Sequence, residues 1–256
     1  MTKPLILVTN DDSIHAPGIR ALIEIVRPLG KVVVVAPDRP QSGTAHSITI
    51  NVPLRLHSIC KEPDYEEYSC NGTPVDCVKL AKKIVVKGKP DVLVSGINHG
   101  SNASINIIYS GTMAAVLESA VDGVPSIGFS LCDYSHDADF SQASKYIRKI
   151  IEQVMQHGLP KDVCLNVNIP AILEAEIKGI FVGRQARASW AEDFDERQDP
   201  TGRDYYWLKG IFINIDNGED TDEWALENNY ISLMPVQFDF TSHQHIEHFK
   251  KMDWSI

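Results

Sequence analysis

The run Lys31-Val32-Val33-Val34-Val35-Ala36 constrains this chain more than any other feature. Four consecutive valines have no polar face to turn to water. A strand built from them must be covered on both sides, as strands of a parallel sheet are by their crossover helices. A second β-rich run, Leu5–Thr9, precedes it. Between the two, Ile19, Leu22, Ile23, Val26 and Leu29 recur at helical spacing on one face, opened by Pro17-Gly18 and stopped at Gly30. The result is a strand–helix–strand unit.

The alternation continues. Thr73-Pro74 opens a helix whose apolar stripe is Cys77, Leu80, Ala81 and Ile84. Strands are expected at 91–95, 125–130 and Val163–Ile169, and helices at 112–121 and 140–157. A polar loop is expected from 96 to 110. The pattern predicts an α/β fold with a mostly parallel sheet. Residues 47–50, 54–60 and Tyr65–Cys70 look like short strands of a β insertion near 46–70, punctuated by Pro53 and Pro63. A core is therefore expected over 1–183 and an extension over 184–256. In the extension, 191–203 reads as a long polar loop, 221–228 as a helix and 230–233 as a strand. Trp190, Phe194, Tyr205, Tyr206 and Trp207 lie among charged residues there, which fits either contact with a partner or packing on the chain's own core.

Charge narrows the function. Lys and Arg number 24 against 34 Asp and Glu, a net charge of −10. That balance gives no general attraction for a nucleic-acid polymer, and an anionic substrate would need a metal or a helix N-terminus to receive it. The apolar runs are too short to span a membrane. The five cysteines are odd in number, include no CxxC pair and read as reduced thiols. With no signal-peptide pattern at the start, a cytoplasmic protein is expected.

Ligands of an open α/β sheet sit beyond the carboxyl ends of its strands. Those ends carry Asn10-Asp11-Asp12-Ser13, then residues 37–43 with Ser42 and Gly43, then Gly96-Ile97-Asn98-His99-Gly100-Ser101-Asn102. The Asp11-Asp12 pair is the sharpest of these. Adjacent carboxylates repel, and a hard divalent cation such as Mg²⁺ or Mn²⁺ relieves the repulsion, with Ser42 and Asn98 able to add neutral oxygens. The alternative is one helix cap and one solvated carboxylate. Tyr109-Ser110-Gly111-Thr112 runs into a helix start, where free N–H groups favour an anion; alone it reads equally as an N-cap. Three other classes are disfavoured. There is no G-x-x-x-x-G-K-[ST], no G-x-G-x-x-G after the first strand and no G-x-S-x-G. A phospho-acceptor receiver would need an Asp where this chain has Ser95-Gly96. His243, His245 and His248 read as a solvated face rather than a zinc site. Nothing in the spacing of His46 or His99 gives either a role in acid–base chemistry.

Taken in order, several segments resemble the survival protein SurE family of metal-dependent 5′/3′-nucleotidases. They are Leu7-Val8-Thr9-Asn10-Asp11-Asp12, Ala36-Pro37-Asp38 with Ser42-Gly43, Asn71-Gly72-Thr73-Pro74-Val75-Asp76-Cys77, Ser95-Gly96-Ile97-Asn98-x-Gly100-x-Asn102, and Tyr109-Ser110-Gly111-Thr112. Leu165-Asn166-Val167-Asn168-Ile169-Pro170, Gln198-Asp199-Pro200-x-Gly202 with Tyr206-Trp207, and Thr221-Asp222 with Tyr230-Ile231-Ser232 carry the resemblance through nearly the whole chain. It implies a Rossmann-like three-layer core with a C-terminal oligomerisation extension exchanged between subunits of a homodimer or homotetramer. The implied reaction is hydrolysis of nucleoside 5′-, and also 3′-, monophosphates to nucleoside and phosphate, with short polyphosphate as a further substrate. The implied cofactor is one divalent metal per subunit, Mg²⁺ or Mn²⁺. Asp11, Asp12, Ser42 and Asn98 match the metal-ligand positions, and the two aspartates are also the expected catalytic pair. Asn102, Ser110, Gly111 and Thr112 match positions around the phosphate. This chain departs from the family at Ser104-Ile105-Asn106, where a glycine and acidic residues are usual, and that segment bears on substrate preference. Two other readings compete. A nucleotide sensor on the same fold would bind without releasing phosphate. An interaction protein built on the oligomerising part would ignore metal removal.

Overall fold

The computed structural model describes residues 3–135 and 137–255. The valine run becomes β2 (Lys31–Pro37), buried from Val32 onward. It lies beside β1 (Leu5–Thr9), with Leu7 opposite Val33 and Val8 opposite Val34 in parallel register. Helix α1 (Pro17–Val26) joins them and buries Ile19, Leu22, Ile23 and Val26.

The chain then adds β3 (Leu56–Glu62), β4 (Tyr65–Cys70), α2 (Pro74–Leu80), β5 (Val92–His99), α3 (Gly111–Val121), β6 (Ser126–Leu131), α4 (Ser144–His157), β7 (Val163–Ile169) and β8 (Gly179–Val182). It ends with β9 (Ala188–Gln198), β10 (Asp204–Asn214), α5 (Asp222–Glu227), β11 (Tyr230–Gln237) and α6 (Ile246–Lys250). Nine strands form one sheet in the order β3-β4-β2-β1-β5-β6-β7-β11-β8. From β4 to β7 all neighbours are parallel. β3 and β11 run antiparallel to β4 and β7.

Alternate residues of the strands feed two cores, one on each face of the sheet. Ile6, Val8, Val32 and Val34 pack under α1 and α4 with Ile19, Leu22, Ile147 and Ile151. Leu7, Val33 and Val35 pack under α2 and α3 with Cys77, Val78, Met113 and Val116. The three-layer α/β expectation holds. The sheet reverses direction of build at β1, with β2 on one side and β5 on the other. That switch point is where a ligand crevice opens in such a sheet.

Several local expectations are corrected. Residues 47–50 form no strand; Thr73 Oγ1 donates to Ser47 O at 2.8 Å and ties that segment to the start of α2. β4 pairs in parallel with β2, so residues 65–70 belong to the main sheet and are no separate insertion. A π-helical turn (Ala81–Val85) follows α2 and rotates Ile84 off the apolar stripe, leaving it 57% exposed. β5 runs on to His99, so Asn98 sits in a strand. The polar stretch 191–203 forms most of the first strand and the turn of an antiparallel hairpin, with Trp190 opposite Phe212 and Phe194 opposite Leu208. The sheet does not stop at 183 either, because β11 inserts between β7 and β8. Among the described residues no helix is long and apolar enough to cross a membrane, and all five cysteines are free.

Candidate active site

Asp11 follows β1 directly and is buried. Three features hold it. The Thr112 hydroxyl donates to its Oδ1 at 2.5 Å. Gln41 N donates to its backbone oxygen at 2.7 Å. Gly111 packs against it so closely that a Cβ there would lie 2.7 Å from the Asp11 Cβ and 2.9 Å from Oδ2. A side chain at 111 would therefore push the carboxylate away, which accounts for the glycine. The first contact joins the β1 end to the start of α3, and the second joins it to the turn that carries Ser42.

Asp12 is half-buried and accepts the His99 backbone N–H at 3.1 Å, which joins it to the end of β5. Burial raises the carboxyls of both aspartates. For Asp11, burial and then repulsion from Asp12 push it up to about 6. For Asp12, burial outweighs the His99 hydrogen bond. Among the described residues no lysine or arginine forms an ion pair with either. Two adjacent carboxylates, one buried and one half-buried, without a protein cation, are the donor set a hard divalent ion satisfies.

The remaining expected ligands supply neutral oxygens. Ser42 stands exposed beside Gly43, whose φ of +73° belongs to the left-handed region. Asn98 donates its amide N–H to Gly100 O at 2.8 Å, a bond that leaves its amide oxygen free to act as a ligand. Among the described residues no three His, Cys, Asp or Glu side chains gather into a metal-binding group. Two carboxylates plus hydroxyl and amide oxygens thus fit a hard cation, and they do not fit a thiolate- or imidazole-seeking one.

The phosphate-side residues divide. Ser110 caps α3 by accepting Met113 N at 3.0 Å, so its hydroxyl has a structural partner. The Thr112 hydroxyl is taken by Asp11. Of the start of α3, Gly111 packs directly against the Asp11 carboxylate. Asn102 is buried; its amide donates to Ser130 Oγ at 2.8 Å and keeps a second N–H.

Residues that spacing had not singled out hold this loop. Asn168 Oδ1 accepts Asn102 N at 2.8 Å, Asn166 Nδ2 donates to Asn102 O at 2.8 Å, and Asn168 Nδ2 donates to Asn166 Oδ1 at 3.1 Å. Asparagine at every second position of an otherwise apolar strand was the signal, since it puts amides on one buried face. His99 was weighed and given no role, yet its backbone holds Asp12 and its ring packs edge-on to Phe140 at 5.9 Å. The His243, His245 and His248 group stays a solvated face. His243 bonds Asp239 at 2.7 Å, His245 bonds Ser242 at 2.7 Å and His248 lies against Phe249.

The family model for survival protein SurE matches residues 6–192, which takes in Asp11, Asp12, Ser42, Asn98, Asn102 and Ser110-Gly111-Thr112. The chain belongs to that family. A 5′-nucleotidase SurE of Flavobacterium psychrophilum is 59% identical over 99% of both chains. The 5′-nucleotidase SurE of Flavobacterium johnsoniae is 61% identical, covering 94% of this chain and 93% of that one. The crystal structure of the SurE protein from Aquifex aeolicus matches with a TM-score of 0.84 at 39% identity, covering 96% of this chain and 98% of that one.

Proposed function

We propose that this chain hydrolyses the phosphate monoester of nucleoside 5′-monophosphates, releasing nucleoside and phosphate, with a divalent metal held by Asp11, Asp12, Ser42 and Asn98. The observation that carries the reading is the Asp11-Asp12 pair, one carboxylate buried and one half-buried, without a protein cation and set against the N-terminus of α3. The names of the SurE relatives support the same reaction class. When bound, a divalent ion would supply positive charge against the substrate dianion and lower the pKa of the attacking water.

The chain's own residues do the rest. Thr112 fixes the Asp11 carboxylate and His99 N fixes that of Asp12, so neither reorganises as the reaction proceeds. Asp12, the less buried of the two, orients the attacking water and accepts its proton. The α3 backbone at Gly111 and Thr112 and the second N–H of the Asn102 amide stabilise the phosphoryl oxygens as charge spreads in the transition state. We extend the proposal to 3′-monophosphates and short polyphosphate as further substrates, to one Mg²⁺ or Mn²⁺ per subunit, to a homodimer or homotetramer, and to a cytoplasmic location.

The test is phosphate release from a nucleotide panel, using metal-stripped protein with and without Mn²⁺ or Mg²⁺. Release should depend on metal and fall roughly a thousandfold in Asp11→Asn, with the far-ultraviolet circular dichroism of the fold retained. Undiminished release in that variant would remove Asp11 from the mechanism. Saturable nucleotide binding without release by the unmodified chain would make it a sensor.

A further inference from the structure

Beside the phosphate site lies a recess of about 430 Å³, lined by Gly43, Tyr109, Trp190, Glu192, Leu208 and Lys209. It adjoins that site by chain connectivity on two sides. Tyr109 precedes the cap residue Ser110, and Gly43 follows Ser42. Ala45 N donates to Tyr109 O at 3.3 Å and joins these two walls. The recess is thus walled by the residues that directly flank Ser42 and Ser110 in the chain.

Its chemistry is aromatic on the faces and charged at the rim. Trp190 and Tyr109 are 39% and 47% exposed, so both rings keep accessible surface. Trp190 does not swing freely. Its indole N–H donates to Asn106 Oδ1 at 2.8 Å, and its ring packs edge-on to Phe212 at 5.5 Å. Asn106 thus clamps the indole. Gly210 lies opposite in the hairpin, and a Cβ there would come within 3.4 Å of the Trp190 ring. At the rim, Lys209 is engaged by Asp193 at 3.4 Å, whereas Glu192 has no ion pair among the described residues. A fixed indole face with a free carboxylate beside it suits a flat heteroaromatic ring that carries an N–H donor.

We infer that this recess is the base subsite of the nucleotidase, in which Trp190 stacks on the nucleobase and Glu192 accepts from its exocyclic amino group. The inference rests on the proposed nucleotidase reading. It names the substrate class as amino-bearing purine nucleoside monophosphates, because the larger purine ring covers more of the indole.

The experiment compares AMP with ribose 5-phosphate, which has the same phosphate and sugar and no base. In Trp190→Ala the ratio of kcat/KM for AMP over ribose 5-phosphate should fall about tenfold, mostly through KM. Trp190→Phe should restore most of that ratio, since a ring face remains. In Glu192→Gln the preference for AMP over IMP should fall, because IMP lacks the amino group. A ratio that does not change in Trp190→Ala, or equal losses on both substrates, overturns the subsite. If the unmodified chain releases phosphate from neither compound, the nucleotidase reading fails instead. Calorimetric binding of adenosine to the unmodified chain and to Trp190→Ala then decides the subsite without hydrolysis: weaker binding in the variant supports it, and equal binding or none overturns it.

Discussion

The nine-stranded sheet and the β9–β10 hairpin are built from the same kinds of residue and treat them oppositely. In the sheet, Ile6, Val8, Val34 and Leu93 are wholly buried between helices. In the hairpin, Trp207, Leu208 and Ile211 are 62%, 61% and 73% exposed, and Phe194 and Tyr206 are exposed as well. Among the described residues, the hairpin strands form a backbone ladder only with each other. An isolated two-stranded ribbon is marginal in water, and apolar side chains exposed on both of its faces call for cover. The sheet thus closes on its own chain, while the hairpin leaves apolar side chains exposed within one chain.

The largest effect expected from this contrast is on assembly. If a second copy covers the hairpin, the double variant Trp207→Ser with Ile211→Ser should lower the mass seen by light scattering to that of one chain. The melting temperature should then become independent of protein concentration. The core sheet should keep its circular dichroism. An unmodified chain that is already monomeric at micromolar concentration would break the contrast, since the exposed aromatics would then need no cover.

Asn168 tests the other side of the comparison, where the chain meets its own polar demands. It is fully buried and accepts the backbone N–H of Asn102. Asn168→Ala strands that N–H and one side of the Asn166 amide in the core. It should cost about 2–3 kcal/mol of unfolding free energy, read from urea denaturation. Phosphate release should fall with it, because Asn102 loses its anchor, while the assembled mass should not change. Unaltered stability would mean that the asparagine ladder is incidental.

The same contrast explains what was legible in the sequence. β1 and β7 were expected at the bounds they have, because strands covered on both faces leave short β-rich runs dominated by apolar residues. The hairpin left no such trace. In Ala188–Gln198 the side chains between Ala191 and Gln198 are mostly acidic or basic, and both faces of the ribbon meet solvent within one chain. No burial period is written there, so a loop was the natural reading. β11 was half visible: residues 230–233 showed, but Pro235 hid the remainder of a strand that runs to Gln237. In the site, strand ends and the aspartate pair could be read locally. The Thr112–Asp11 contact spans 101 residues, and the Trp190–Asn106 clamp spans 84, so spacing alone could reveal neither. Asn98 was placed in a loop because Gly96 looks like a turn residue. The strand passes through Gly96 at φ +127°, where a Cβ would lie 2.3 Å from Phe129 O.

The smallest effect lies at Glu223, where the C-terminal region rejoins the core. Its neighbour Asp222 is fully buried and accepts both Ser104 N and Ala186 N, at 2.7 and 2.8 Å. Burial, then repulsion from Asp222 and Glu227, pushes the Glu223 carboxyl up to about 7 from 4.5. The folded protein therefore holds this proton more tightly than the unfolded chain does. Its contribution to stability is full below about pH 4.5 and is lost as pH rises through about 7. Glu223→Gln keeps the shape and removes the titration. The variant should be more stable than the unmodified chain above pH 7, by about 1 kcal/mol after allowance for solvent screening. The gain should shrink steadily as pH falls and be gone below pH 5. Melting curves across that range, with assembled mass measured alongside, separate the two regions. A gain that tracks pH at constant mass places the proton in the core. A gain that appears only when the mass changes would place Glu223 in the hairpin's interface instead.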